Sequence, residues 1–150
     1  MNTTATGYAL ICFDGLSLLI DQHTIVCLNN MAMLQSEGHE EKNSETIIEE
    51  PACKVHSLTA HLTVAEKINT RCRYIVVLQA DGHHFGITVD SVQSLPTQNP
   101  ILHSLPTCMS ISGSPIQAYV QIKETIAFCC DVGTLWCYIN SLERRHEFKT

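Results

Sequence analysis

Charge is scarce in this chain and basic charge is scarcest, with nine lysines and arginines against 15 aspartates and glutamates, a net charge of −6, and only 16% of its 150 residues charged. A surface that holds nucleic acid needs a basic face, and no Lys/Arg cluster occurs beyond Arg144-Arg145; nucleic acid is excluded as the main partner. Long apolar runs are also missing. None approaches the roughly 18–20 residues that span a bilayer, and the polar opening MNTTATGY does not read as a signal peptide. No membrane insertion is expected, and the chain reads as cytoplasmic. The seven glycines stand at 7, 15, 38, 82, 86, 113 and 133, never grouped as a phosphate-binding turn requires. Eight cysteines include no C-x-x-C pair. Most sit inside apolar strand-like runs, where a reduced thiol packs as a small hydrophobe.

What the chain does have is strands and turns. Apolar residues make up 45% of it, enough to bury one respectable core or two small ones that share an interface. The stretch Tyr74–Leu95 carries a β-branched and aromatic run, then Asp81-Gly82, then Phe85, Ile87 and Val89 in alternation. That pattern predicts a β-hairpin closed by a tight turn, because the glycine accepts the positive φ that such a turn needs. The polar pair Asp90-Ser91 then ends the strand at a corner. Tyr8–Leu28 repeats the scheme 67 residues earlier: Asp14-Gly15 matches Asp81-Gly82, Leu18 matches Phe85, Ile20 matches Ile87, Ile25 matches Val92 and Leu28 matches Leu95. Two related half-domains are the simplest explanation. They predict two cores, with Ile20, Ile25 and Leu28 in one playing the parts of Ile87, Val92 and Leu95 in the other. A second pair, Val55–Leu58 and Cys129–Val132, repeats at an offset of 74.

Taken in order, residues 1–7 read as a loose leader and Thr24–Leu28 as a third strand after the first hairpin. Between Gln35 and Pro51 come six glutamates and one lysine, which read as a solvated acidic loop (37–50) with one short strand at Ile47-Ile48, the alternative being an acidic recognition element. Leu58, Leu62 and Ala65 have helical spacing, and Thr63–Glu66 has the form of a capping box. Pro96, Pro100, Pro106 and Pro115 allow no long strand between them. Ile116–Ile122 and Thr125–Cys130 read as another hairpin through Lys123-Glu124, and Gly133–Phe148 as a closing helix.

No reactive constellation emerges. His83 and His84 are adjacent on a strand and point to opposite faces, as do Cys129 and Cys130. A metal site drawn from Cys53, His56 and His61 would have to be assembled by the fold, since their spacing does not advertise one. Asp90 beside Ser91 has no local general base to make a nucleophile of the serine, and turn chemistry suits it to accept backbone hydrogen bonds at the corner. An interaction module without catalytic residues or cofactor is therefore expected over an enzyme, with a metal- or thiol-based sensor as the competing class.

With these residues in hand, Arg73–Tyr138 resembles the second half of a CheW-like chemotaxis coupling domain. The resemblance rests on Phe85-Gly86-Ile87-Thr88-Val89-Asp90-Ser91-Val92-Gln93-Ser94-Leu95, on the strand Ile116–Ile122, and on the apolar strand Ile126–Cys130 followed by Asp131 and a leucine-containing helix. Tyr8–Leu28 resembles the opening hairpin and third strand of that family. Ser57 stands where the family has aspartate, Ile47–Pro51 where it has an N-L-R-G hairpin, and Ala118 where glycine is usual. The resemblance implies a mainly β fold of two SH3-like five-stranded antiparallel barrels packed together with short helices: a first barrel over 8–62, a second over 71–132 and a C-terminal helix over 133–149. It also implies a cytoplasmic, non-enzymatic adaptor linking the cytoplasmic tip of a methyl-accepting receptor to the regulatory domain of a chemosensory histidine kinase, in chemotaxis or surface motility. A degenerate member with an altered partner is the other reading within the family. Ile25, Leu28, Val92 and Leu95, at the two strand-to-corner transitions, are the residues it points to for partner binding.

Overall fold

The computed structural model describes residues 7–31, 47–49, 52–65, 72–95, 101–109 and 114–148, with only the backbone of 47–49, 52 and 143–148. The elements are β1 (Tyr8–Phe13), β2 (Leu16–Asp21), β3 (Ile25–Asn30), β4 (Ile47–Glu49), β5 (Ala52–His56), β6 (Tyr74–Ala80), β7 (His83–Val89), β8 (Ser91–Leu95), β9 (His103–Ser104), β10 (Ile116–Ile122), β11 (Thr125–Cys130) and the helix α1 (Val132–Phe148). Residues 1–6, the acidic stretch 37–46 and Glu66 lie outside the described residues.

Both Asp-Gly turns form as predicted. Asp14 and Gly15 take φ 48° and 82°, Asp81 and Gly82 take 50° and 82°, so each pair of central residues sits in the left-handed region that a two-residue hairpin turn with the strands' own twist requires. The hairpins β1–β2 and β6–β7 are thus the same structure twice.

The fold is mainly β, two SH3-like sheets packed together. One has the order β8-β1-β2-β11-β10-β9 and the other β3-β6-β7-β5-β4. These sheets do not follow the division at 8–62 and 71–132, because each hairpin lends itself to the other half. β3 pairs with β6, and β8 pairs with β1. The pairing is not wholly antiparallel either. β5 runs parallel to β7, with Val55 opposite Gly86, and β11 runs parallel to β2, with Cys129 opposite Leu19. Those two contacts are equivalent under the offsets of 67 and 74, so both repeats seen in the sequence correspond to real structural repeats.

The exchange explains why β1 and β6 are apolar on both faces. Ala9, Ile11, Phe13, Leu18 and Ile20 from one hairpin and Val76, Leu78, Ala80, Phe85 and Ile87 from the other meet in one buried cluster between the sheets, joined by Val132, Leu135 and Ile139 of α1. The opposite faces line the separate sheet interiors, with Leu10 and Leu19 in one and Ile75 and Val77 in the other. Ile20 and Ile87 therefore share a core and do not lie in two. Each fully buried side chain of this kind contributes about 1.5–3 kcal/mol, which makes the shared cluster the main bond between the halves.

The helical turns predicted over Leu58–Ala65 do not form. Leu62 has φ 58°, Leu58 bridges Val64, and the Ala65 amide donates to the Ser57 carbonyl at 2.8 Å. The apolar spacing is real but serves a tight closed loop, and Thr63 shares a 2.7 Å hydroxyl contact with Thr59. The predicted closing helix does form. Asp131 caps it, its Oδ2 accepting from the Thr134 amide and hydroxyl, both at 2.9 Å.

Candidate partner-binding surface

The four residues singled out in sequence fall on β3 and β8, the outer strands of the two sheets. Ile25 stands opposite Leu78, and Val92 opposite Ile11. These pairs are equivalent, and both Ile25 and Val92 are half-buried against the shared cluster. Beyond them the halves diverge. β3 carries a bulge between Ile25 and Cys27, so that Cys27 faces Val77 and Leu28 faces Val76. β8 runs on without one, and Leu95 faces Tyr8.

A single extra residue moves every later side chain to the other face of a strand. Leu95 consequently points inward and packs with Tyr8 beside Leu10 and Leu19. Leu28 is turned to the face that Val76 shares with the inter-sheet cluster, where it stays 48% exposed, next to Val26 at the bulge, which is 41% exposed. The structure brings Ile25 and Val92 to one cluster, leaves Leu28 as an exposed apolar residue at its edge, and places Leu95 elsewhere. Val26 is a surface residue that the sequence reading misses. The signal was the unbroken run Ile25-Val26-Cys27-Leu28 where an edge strand should alternate.

Leu95 lies in a hollow of about 500 Å³ lined also by Tyr8, Leu19, Ile101, Val120 and Ile122 and by the polar side chains of His103, Gln121 and Lys123. The His103 ring stacks on Tyr119 at 5.0 Å. This apolar opening was not predicted, because it is assembled from strands far apart in sequence.

The departure at Ser57 has a local explanation. In the second half Asp131 caps the following turn; in the first half its counterpart Ser57 is buried and accepts from the Thr88 hydroxyl at 3.0 Å. The amide that would need the missing carboxylate belongs to Ala60, and it donates to Asp14 Oδ2 at 2.7 Å. The hairpin turn thus supplies the cap that position 57 lacks.

Asp90 anchors its corner through the backbone, its amide donating to the Cys12 carbonyl at 2.7 Å. His83 is exposed and stacks on Trp136 at 5.4 Å, while His84 lies half-buried on the opposite side of the strand. Cys53 and His56 are buried and His61 is exposed; among the described residues no group of three or more His, Cys, Asp or Glu is arranged to hold a metal ion. All eight cysteines are free thiols. Burial pushes Cys53 up to about 11, with Cys27 nearby adding to it, and burial pushes Cys72 to about 11 and Cys130 to about 12. A second hollow, of about 430 Å³, is polar and holds Asp21, Asp81 and Asp131 beside α1. Among the described residues no helix is long and apolar enough to cross a membrane.

Comparison with protein-family models and with curated proteins finds no match. Among solved structures, the chain is similar to the scaffolding protein TtCheW from Thermoanaerobacter tengcongensis, with a TM-score of 0.61 over 87% of this chain and 91% of that one, at 10% sequence identity. The fold is CheW-like.

Proposed function

We propose that this chain is a non-enzymatic cytoplasmic adaptor, coupling the cytoplasmic tip of a methyl-accepting receptor to the regulatory domain of a chemosensory histidine kinase. The observation that carries the reading is the bulge in β3. It presents Val26 and Leu28 as exposed apolar side chains next to Ile25, which is half-buried against the inter-sheet cluster. An amphipathic helix laying one apolar stripe along that edge is the recognition mode that fits such a surface. Leu28 is the anchor in this reading, with Ile25 half-buried beside it on β3; Val92 lies on the edge strand of the other sheet, and Leu95 contributes to a different opening. The CheW-like fold and the name of TtCheW as a scaffolding protein support the adaptor role.

The reading is tested by affinity capture from the native host with the tagged chain, identifying partners by mass. Recovery of a receptor or of the kinase supports it, and recovery of neither counts against it. The sensor alternative would have to start from thiols other than Cys53, Cys72 and Cys130, whose burial disfavours the thiolate that reacts or ligates.

A further inference from the structure

We infer that Cys27 and Cys53 are a reversible redox pair, joined by a disulfide across the interior of the sheet β3-β6-β7-β5-β4 when the chain meets a peroxide. The two stand on strands that are not neighbours, β3 and β5, with β6 and β7 between them. Cys27 faces Val77, Val77 faces Gly86, and Gly86 faces Val55. One row of interior positions thus crosses the four strands, and Cys53, two residues from Val55, shares its face. Gly86 is where the row closes. A Cβ there would lie 3.1 Å from Ile75 Cγ2 and 3.2 Å from Val55 Cγ2, so side chains of β6 and β5 meet over the position that has none, and the sheet curls on itself. Met31, Cys53, Val55, Ile75 and Val77 accordingly form one buried cluster, and Cys27 packs against it. The two sulfurs are close enough for charge on Cys27 to help hold the proton on Cys53.

The thiols differ in what reaches them. Cys27 is half-buried and Cys53 buried, so the oxidant meets Cys27 first. The Cys27 thiolate attacks one oxygen of hydrogen peroxide, the O–O bond breaks, hydroxide leaves and takes up a proton as water, and the sulfur is oxidised to a sulfenic acid. The Cys53 sulfur then attacks that sulfur; the S–S bond forms, the S–O bond breaks, and the hydroxide departs as water with the Cys53 proton. One peroxide becomes two waters and two thiols become one disulfide. Burial disfavours the Cys53 thiolate, so the second step is the slow one. The bond fixes β3 beside its bulge, because Cys27 stands between Val26 and Leu28, and it ties together the two ends of a segment that contains the acidic stretch 37–50. Oxidation thereby stiffens the edge that the adaptor reading uses for docking, while the bond itself does not depend on that reading.

The test treats the reduced, folded chain with one equivalent of hydrogen peroxide, blocks the remaining thiols with N-ethylmaleimide under denaturing conditions, and maps the linked peptides by mass. A parallel preparation carries Cys108→Ala and Cys137→Ala, which removes links between molecules through the exposed thiols. A link from Cys27 to Cys53, two hydrogens lighter than the thiol pair and reversed by dithiothreitol, should account for most of the disulfide formed. Dimedone, which captures sulfenic acids, should label Cys27 in Cys53→Ala and should leave Cys53 unlabelled in Cys27→Ala. The oxidised chain should have a urea midpoint higher by about 1 M and slower hydrogen exchange at the Val26 and Leu28 amides, and Cys27→Ala should show neither change. No disulfide, links mainly between other cysteines, dimedone on Cys53 in place of Cys27, or a lower urea midpoint after oxidation would overturn the proposal. None of these readouts involves a partner, so the adaptor reading and the redox pair fail separately.

Discussion

Leu28 faces Val76 across the β3–β6 ladder, one residue out of step with its counterpart Leu95, which faces Tyr8 across the β8–β1 ladder. One bulged residue thus separates two positions that the repeat makes equivalent. The first is left exposed at the boundary of the two sheets, and the second is drawn into a sheet interior. The halves share a plan, but only one of them presents an apolar edge there.

The shared cluster predicts that the two sheets unfold together. Ile87→Ala should cost about 2–5 kcal/mol, and wild type and variant should each show a single urea transition. Trp136 is the only tryptophan in the chain and packs on Phe85 at 5.1 Å, so its fluorescence reports on the cluster. Its transition should coincide with that of far-ultraviolet circular dichroism, and two separated transitions would mean independent barrels.

Glycines at 82 and 86 should fail for different reasons. A Cβ at Gly82 meets nothing within 4 Å, but φ is +82°, so Gly82→Ala should cost about 1–2 kcal/mol through the backbone alone. At Gly86 a Cβ would lie 3.1 Å from Ile75 Cγ2 and 3.2 Å from Val55 Cγ2, an overpacking cost of about 1–3 kcal/mol. Adding Val55→Ala should relieve part of the second penalty and none of the first. A double-mutant cycle by urea unfolding measures the difference.

Asp14 should matter more than an exposed turn residue usually does. Its carboxylate accepts the Ala60 amide and its own φ is positive. Asp14→Ala should therefore cost about 1–2 kcal/mol, whereas Asp14→Asn, which keeps an acceptor oxygen and tolerates the left-handed region, should cost well under half as much. Equal losses in chemical denaturation would show that the Ala60 contact contributes nothing.

Alkali should weaken the fold through its thiols. Burial raises Cys53 and Cys72 to about 11 and Cys130 to about 12 from an ordinary 9.0. Below pH 9 these groups hold their protons in both states and stability is unaffected by them. As pH rises from 9 towards 11–12 the unfolded chain loses protons that the folded chain keeps, so folding becomes less favourable. Urea midpoints should fall across that window. At neutral pH iodoacetamide should label exposed Cys108 and Cys137 well before these three, and prompt labelling of Cys130 would contradict its burial.

Much of this was legible because turn chemistry and apolar alternation are local. Asp14-Gly15, Asp81-Gly82 and the strand pair around Lys123 announce hairpins that do form, and the apolar residues of Gly133–Phe148 announce the closing helix. The exchange of β3 and β8 was not legible, since nothing in a strand's own pattern says which hairpin it will join. Leu58, Leu62 and Ala65 misled because three apolar residues at helical spacing fit a closed loop equally well, the deciding fact being the positive φ of Leu62. At the candidate surface, the repeat made Ile25 and Val92 equivalent, as they are, but assigned them to two cores where the structure has both against one cluster. It treated Leu28 and Leu95 alike because a bulge has no signature in an offset.

The measurement that bears most directly on the adaptor role is the affinity of the chain for the receptor tip and for the kinase regulatory domain of its host, by titration calorimetry, for wild type and Leu28→Asp. Leu28 is exposed, so the variant should melt within a few degrees of wild type, as surface substitutions within about 0.5 kcal/mol do. Burying an aspartate in place of an apolar anchor should weaken binding to at least one of the two partners by about tenfold or more. Wild-type binding to either partner that is equally strong in the folded variant would contradict a binding surface at Leu28, and no wild-type binding to either would contradict the adaptor role itself.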